Sequence, residues 1–412
     1  AGSGAQAVQL NTNLSTESNH MRADVGAFTL WALGTELLGN VRYFNGTPGR
    51  QFGEQILSHN AVTIDRSNMS RGTGWNVGGR DHVFTPGHLM LYEPGNNGLA
   101  VIEIDAQRPY ANKASRYQRI LILNTADLAR PYLIDVFRVA GGTTHDYTLH
   151  GSIRYDQVGE SSFTLTPNPA TYPLLEGSET WSEPTSSGSS LPYYGFFRNV
   201  SSGTAPENFQ ITFRESPGTG KKDARLWVTK QEGATVHLAR TPIAARSNSE
   251  PADFYGFWRP SVIVRKRISS GTQQSLFANV IEPLRDGLST IQSVQQLPLA
   301  GGATQEAVAL RITFTDGRID TYLVNLRNPR VIGGNTGNAT IATADGRYSL
   351  TGRLGAHLQA TSGSRIWTMA ASSFTYAGNT HTPGTQVYTG NITGVTRQAT
   401  GGANDAFIVS GT

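Results

Sequence analysis

"RYQRILILNTADLARPYLIDVFRVAGGTTHDYTLHG", residues 116–151, decides the fold of this chain. It contains three short runs, Arg116–Leu123, Pro131–Val139 and His145–Gly151, each rich in β-branched, aromatic or aliphatic residues and separated by turn residues. Runs of this length and punctuation read as β-strands. The same reading extends to Asn208–Glu215 and Ala224–Lys230, and later to "SVIVRKRIS", "SLFANVIE", "VALRITFTDGRIDTYLVN" and "GRYSLTGRLGAHLQA". Two Asp-Gly pairs, Asp316-Gly317 and Asp345-Gly346, lie between alternating segments and read as hairpin turns. No amphipathic helix longer than about three turns is visible, so the chain is expected to be all-β and mostly antiparallel.

Composition agrees with that reading and excludes several chemistries. The chain has 412 residues, 46 glycines and 19 prolines, with 38% hydrophobic and 16% charged residues. Turn-rich, low-charge sequence of this size fits an extracellular β protein, and secretion or a periplasmic location is expected. There is no cysteine, which rules out disulfides and thiolate metal sites. No run of about 18 apolar residues is present, so no membrane-spanning helix is expected. The sequence holds no Gly-x-Ser-x-Gly elbow, His-Glu-x-x-His helix, P-loop or dinucleotide fingerprint. The net charge of +4 suits an acidic partner. Basic residues are dispersed rather than interleaved with aromatics, which argues against nucleic acid. Six Asn-x-Ser/Thr sequons occur, at Asn13, Asn45, Asn68, Asn199, Asn338 and Asn391, in a chain where Ser and Thr are abundant. "AGSGAQAVQLN" reads as the interior of a longer protein. "EPTSSGSSLP", Glu183–Pro192, reads as a surface loop, and "RNPRVIGGNTGNAT", Arg327–Thr340, as the junction between two domains.

Candidate chemistry concentrates near the start. "SNHMRADVGAFTLW", Ser18–Trp31, places His20, Arg22 and Asp24 at alternate positions, on one face if the segment is a strand. His59 follows "GEQIL", another strand-like run, and could lie across from that group. His145 and His150 fall in the Thr-rich strand after Gly142, where a hydrogen-bonded structural role is the plainer reading.

The residues "NHMRADVGAFTLWALGTELLGNVRYF" followed by "ILSHNAVTID" resemble the β-domain signature of the heparinase II/III-like polysaccharide lyases. "SRYQRILIL", "PYLIDVFRVAGGTTHDYTLHG" and "FANVIEPLRDG" are similar to further segments of that family. The likeness spans roughly residues 10–325, with an echo in "GRYSLTGRLG". It implies a large two-sheet antiparallel β-sandwich over residues 1–326 and a smaller β domain over residues 327–412. It also implies β-elimination on an acidic, uronate-containing polysaccharide, a glycosaminoglycan or an alginate-like polymer. Such a lyase neutralises the uronate carboxylate, a Tyr or His removes the acidified C5 proton, and a Tyr or His protonates the leaving oxygen.

Carried over by position, His20 matches the cleft histidine, and Tyr43 is the local candidate for a cleft tyrosine. Arg22 and Asn40 stand where the family has zinc ligands, a His and an Asp, and His59 matches the third ligand. A guanidinium offers no lone pair, so zinc is not expected and no other cofactor is needed. Arg22, Asn40 and His59 become substrate-binding candidates, with Arg22 supplying the positive charge. Alternatively, Arg22, Asp24, Asn40 and His59 form a buried network that holds two strands together. The family also carries an N-terminal α/α toroid that supplies part of the cleft, and no such helical segment is visible here. Two other readings stay open: a non-catalytic carbohydrate-binding descendant, and a fibre or surface-layer subunit.

Overall fold

The central strands are buried on both faces. Arg116–Asn124 and Tyr132–Ala140 are enclosed almost throughout, with the polar Gln118, Arg119, Asp135 and Arg138 buried among aliphatic and aromatic neighbours. A computed structural model describes residues 7–14, 22–41, 46–70, 87–95, 98–110, 113–185, 193–216, 222–243, 254–268, 274–302, 304–327, 339–360, 363–383, 390–396 and 406–411.

These two strands are neighbours in an eight-stranded antiparallel sheet. Its order is Gln157–Ser161, Phe209–Glu215, Lys222–Thr229, Gln274–Arg285, Tyr132–Ala140, Arg116–Asn124, Leu99–Asp105 and His88–Pro94. A six-stranded sheet packs against it, in the order Thr166–Pro167, Arg198–Thr204, Thr235–Ile243, Phe257–Arg267, Thr144–His150 and Val62–Ile64. The core between them takes Leu121, Leu133, Phe137, Val139, Phe277 and Ile281 from the first sheet, and Tyr147, Leu149, Val236, Val262 and Val264 from the second. The Tyr147 and Phe277 rings stack across it with centroids 5.4 Å apart. Each such large side chain contributes roughly 2 kcal/mol by leaving water. The expected all-β, two-sheet antiparallel sandwich is what the chain forms.

Three further strands, Gln9–Thr12, Phe28–Ala32 and Thr35–Leu38, form a small antiparallel sheet whose Phe28, Leu30, Leu37 and Leu38 join the same core. A second cluster contains Phe52, Phe196, Phe197, Val200, Ala239 and Ile263. Among the described residues, the longest helix has five residues, Gly49–Gly53, and no helix is long and apolar enough to cross a membrane.

The chain divides into two units, Ala1–Val294 and Gln295–Thr412. In the second, strands run in the order Ile291–Leu297 (which crosses the division), Ala307–Phe314, Ile319–Asn325, Tyr348–Ala360, Gly363–Tyr376 and Asn379–His381. Thr340–Ala342 also pairs with Tyr348–Ala360. Leu323, Ile341, Tyr348, Leu350 and Phe374 form its core. Both Asp-Gly turns are present, with Gly317 at φ +86° and Gly346 at φ +68°, backbone values that favour glycine. The division falls earlier than the expected 326/327 boundary. Ile319–Asn325, assigned by sequence to the first domain, pairs in register with Tyr348–Ala360, so its ladder belongs to the second unit. Most of the expected junction, and most of the Glu183–Pro192 loop, lie outside the described residues.

Candidate functional site

Two buried arginines, one from each large sheet, shape the site. Arg259 of the six-stranded sheet donates from Nη1 to the Gly39 carbonyl (2.7 Å) and from Nη2 to the Ser58 carbonyl (2.9 Å). Arg119 of the eight-stranded sheet donates from Nη1 to the Gly26 (2.7 Å) and Asn60 (2.6 Å) carbonyls. Its remaining edge grips Asp135, Nε to Oδ1 at 2.8 Å and Nη2 to Oδ2 at 2.5 Å. The carbonyls on either side of His59 are therefore each held by a guanidinium, as is the carbonyl preceding Asn40. Asn60 locks the same turn, donating from Nδ2 to the Phe28 carbonyl (2.8 Å) and accepting from the His150 backbone N–H (2.7 Å). Fixed backbone on both sides presents Asn40 and His59 to one another.

The side chains then form one polar chain. The Asn40 carboxamide oxygen accepts from His59 Nδ1, and its Nδ2 lies 3.4 Å from Asp24 Oδ2. Asn13 donates to the other Asp24 oxygen. His59 Nε2 faces the Gly53 carbonyl at 3.0 Å. Both ring nitrogens thus face acceptors, which favours the imidazolium, and Asp24 stands 4.0 Å away. Complete burial opposes this, aided by the charges of Arg22 and Arg259. Burial wins and holds His59 at about 4, so the ring is neutral at pH 7. Arg22 is half-buried. Burial pulls its pKa down, and Asp24 pulls it back up.

The structure brings together Arg22, Asp24, Asn40 and His59 with Asn60 of the Ser58–Asn60 run and the sequon residue Asn13, and adds Arg119 and Arg259, which the sequence reading did not single out. It places His59 differently from a direct substrate contact. The ring has no solvent exposure, and its two nitrogens face Asn40 Oδ1 and the Gly53 carbonyl. The local backbone also differs from expectation. Arg22–Ala27 is not strand: Ala27 N–H donates to the Asp24 carbonyl (3.0 Å), and Gly26 sits at φ +78°. Before His59, the expected strand is the short helix Gly49–Gly53 followed by the 3-10 turn Ile56–Ser58. His20 and Tyr43 lie outside the described residues.

The donor set does not fit zinc. Among the described residues of the site only one imidazole, His59, is present, Asn40 is a neutral amide already paired with it, and Arg22 is a cation with no lone pair to offer. Among the described residues, no three His, Cys, Asp or Glu side chains cluster to hold a metal. Converting Arg22→His together with Asn40→Asp supplies a His, Asp, His trio of the kind zinc takes. The double variant is expected to retain stoichiometric zinc after dialysis, and the parent chain none, as read by elemental analysis.

His145 and His150 are each held by hydrogen bonds inside the sandwich. His145 bonds Ser275 Oγ (2.7 Å) and the Gly141 carbonyl (2.6 Å). His150 bonds Ser261 Oγ (2.6 Å) and the Leu57 carbonyl (3.0 Å). Burial depresses the pKa of both, and holds His237 at about 4. Depressed values mean that stability is fully present above the unfolded value near 6.5 and is lost as pH falls toward 4. For His59 and His237 the loss is up to about 3 kcal/mol each. Denaturant titrations are expected to show the midpoint falling steeply between pH 6.5 and 4, and nearly flat from pH 7 to 8.

No protein-family model matches the chain, and no curated protein sequence does. Solved structures do. The heparan sulfate lyase HepC from Pedobacter heparinus is 15% identical with a TM-score of 0.52, over 79% of this chain and 40% of that one. A heparinase III gene product is 12% identical with a TM-score of 0.50, over 78% of this chain and 40% of that one. The chain thus spans about two-fifths of the length of the structures it matches. At this identity the likeness is one of fold, and it bears out the sequence resemblance at that level. The chain is an all-β protein that shares the fold of heparinase-type lyases over some four-fifths of its length.

Proposed function

We propose that this chain is the β-sandwich portion of a secreted or periplasmic polysaccharide lyase, acting by β-elimination on an acidic, uronate-containing polysaccharide. It works with a helical domain of the same precursor, which would complete the cleft. The observation that carries the reading is Arg22: a half-buried cation stands beside Asp24, Asn40 and His59 at a family metal-ligand position, within the shared fold. The carboxylate of a bound uronate would pair with Arg22, which withdraws charge and acidifies the C5 proton. Asn40, oriented by His59 and Asp24, would offer a polar contact beside it. His20 and Tyr43 are the proposed proton-transfer groups: one takes the C5 proton, and the other protonates the glycosidic oxygen as it leaves, giving an unsaturated uronate and a free hydroxyl.

The test is ultraviolet absorbance of the unsaturated uronate on a panel of glycosaminoglycans and alginate-like polymers. The 412-residue chain is run beside any longer protein that contains it. Product from the longer protein supports the reading. Absence of product from both overturns it in favour of a non-catalytic, carbohydrate-binding or structural role. Enclosure of His59 with both ring nitrogens engaged favours that second reading, because a residue so placed serves as a strut.

A further inference from the structure

A polar cavity opens between residues of the two large sheets. It measures about 230 Å³ and is lined by Gln157, Asn199, Ser201, Leu238, Arg240 and Pro260, among others. That is below the roughly 300–1,000 Å³ of sites that enclose a whole drug-sized ligand, and leaves room for about one sugar ring of a chain. A β-bulge between Arg198 and Ser201 breaks the strand at its lip, and Asn199 there adopts φ +52°. Bulges next to sites re-aim side chains.

Arg240 is exposed and joins the cavity to an aromatic ledge, because its Nη2 donates to the Trp258 carbonyl (3.2 Å). That contact uses one of five guanidinium donors. Trp258 stacks on Tyr255 with centroids 5.8 Å apart, and Tyr255 is 36% exposed. Both rings are tethered by their polar tips: Trp258 Nε1 donates to the Tyr255 carbonyl (2.8 Å), and Tyr255 Oη to Glu183 (2.7 Å). Behind them, the Arg198 guanidinium lies over Tyr172 and Trp181, at 4.3 and 5.3 Å. Its Nη1 is buried without an acceptor. The carboxylates here are already committed, Glu183 to Tyr255 and Glu160 to Arg214.

Rigid aromatic faces beside an exposed guanidinium, amides and a hydroxyl suit one ligand chemistry. The apolar C–H face of a sugar ring lies on an aromatic ring, its hydroxyls meet amide and hydroxyl groups, and an anionic substituent pairs with arginine. The geometry points to a saccharide-binding site at Arg240, Asn199, Tyr255 and Trp258 that takes a carboxylate- or sulfate-bearing sugar residue. The site stands on this geometry alone; the choice of an acidic chain as its source rests on the proposed function.

The experiment is calorimetric titration of the chain with three probes: a sulfated uronate oligosaccharide, an unsulfated uronate oligosaccharide and a neutral glucan oligosaccharide. Arg240→Gln, at an exposed position, is expected to weaken the acidic probes about tenfold and leave the neutral one unchanged. Tyr255→Ala is expected to weaken all three. The sulfated and unsulfated probes show which anion Arg240 prefers. Acidic-probe affinity unchanged in both variants, or no binding of any probe to the parent chain, overturns the site. Binding lost in Arg240→Gln from a protein that yields no unsaturated product upholds the site while the lyase reading fails. Elimination that persists with no binding at Arg240 does the reverse.

Discussion

On the proposed lyase reading, replacing Arg22 by Gln in any longer protein that contains this chain is expected to lower the rate of unsaturated-uronate formation roughly 10²–10³-fold, the usual effect of removing one charge-stabilising donor. The reason is electrostatic. Elimination next to a carboxylate builds negative charge on that group as the C5 proton leaves, and a nearby cation lowers the barrier most where water is partly excluded. Arg22 is half-buried, and burial has already strained its charge. It therefore gains more from a substrate carboxylate than a surface arginine would. Arg22→Lys keeps the charge without the planar fork, and an intermediate rate is expected. Folding should change little, because Asp24 still has Asn13 and Asn40. If Arg22 is a strut, the pattern inverts: activity persists and denaturant stability falls.

The second large effect concerns stability. Arg119→Met or Asp135→Asn is expected to cost about 3–5 kcal/mol in denaturant unfolding, the range for leaving one partner of a buried pair uncompensated. Asp135 also accepts from Tyr147 Oη at 2.8 Å, so its charge serves two partners. The Arg119 guanidinium lies 4.6 and 4.7 Å from the Phe28 and Phe137 ring centroids. A double replacement, Arg119→Met with Asp135→Leu, removes both charges and is expected to recover part of the loss. Recovery stays incomplete, because the Gly26 and Asn60 carbonyls lose their donor, and each buried unpaired acceptor costs about 1–3 kcal/mol. The turn carrying His59 is expected to loosen in the variants that remove Arg119, because the Asn60 carbonyl then loses its donor.

The strands were legible because burial on two faces writes itself into local composition. Arg116–Leu123 and Pro131–Val139 matched the observed strands to within a residue or so at each end. The Asp-Gly hairpins were legible for a similar reason, since the turn needs a glycine at one position. The segment before His59 misled because five residues, "GEQIL", are too few to separate strand from turn by periodicity. The Arg22-Asp24 alternation misled because residues 22–27 are not strand and the chain turns at Gly26. The site's scaffold could not be read at all. Arg119 meets carbonyls 93 and 59 positions away, and Arg259 meets carbonyls 220 and 201 positions away. No local pattern marks an arginine as a clamp when its partners are backbone oxygens brought close only by the folded sheets. Motif order found Arg22, Asn40 and His59; only packing shows that His59 is enclosed.

The most direct measurement is the initial rate of unsaturated-uronate formation, by any longer protein that contains this chain, on acidic polysaccharides with and without a strong chelator. If Arg22 supplies the positive charge, product forms and the rate is the same in both. No product on any acidic polysaccharide, or a rate abolished by chelator and restored by zinc, would contradict it.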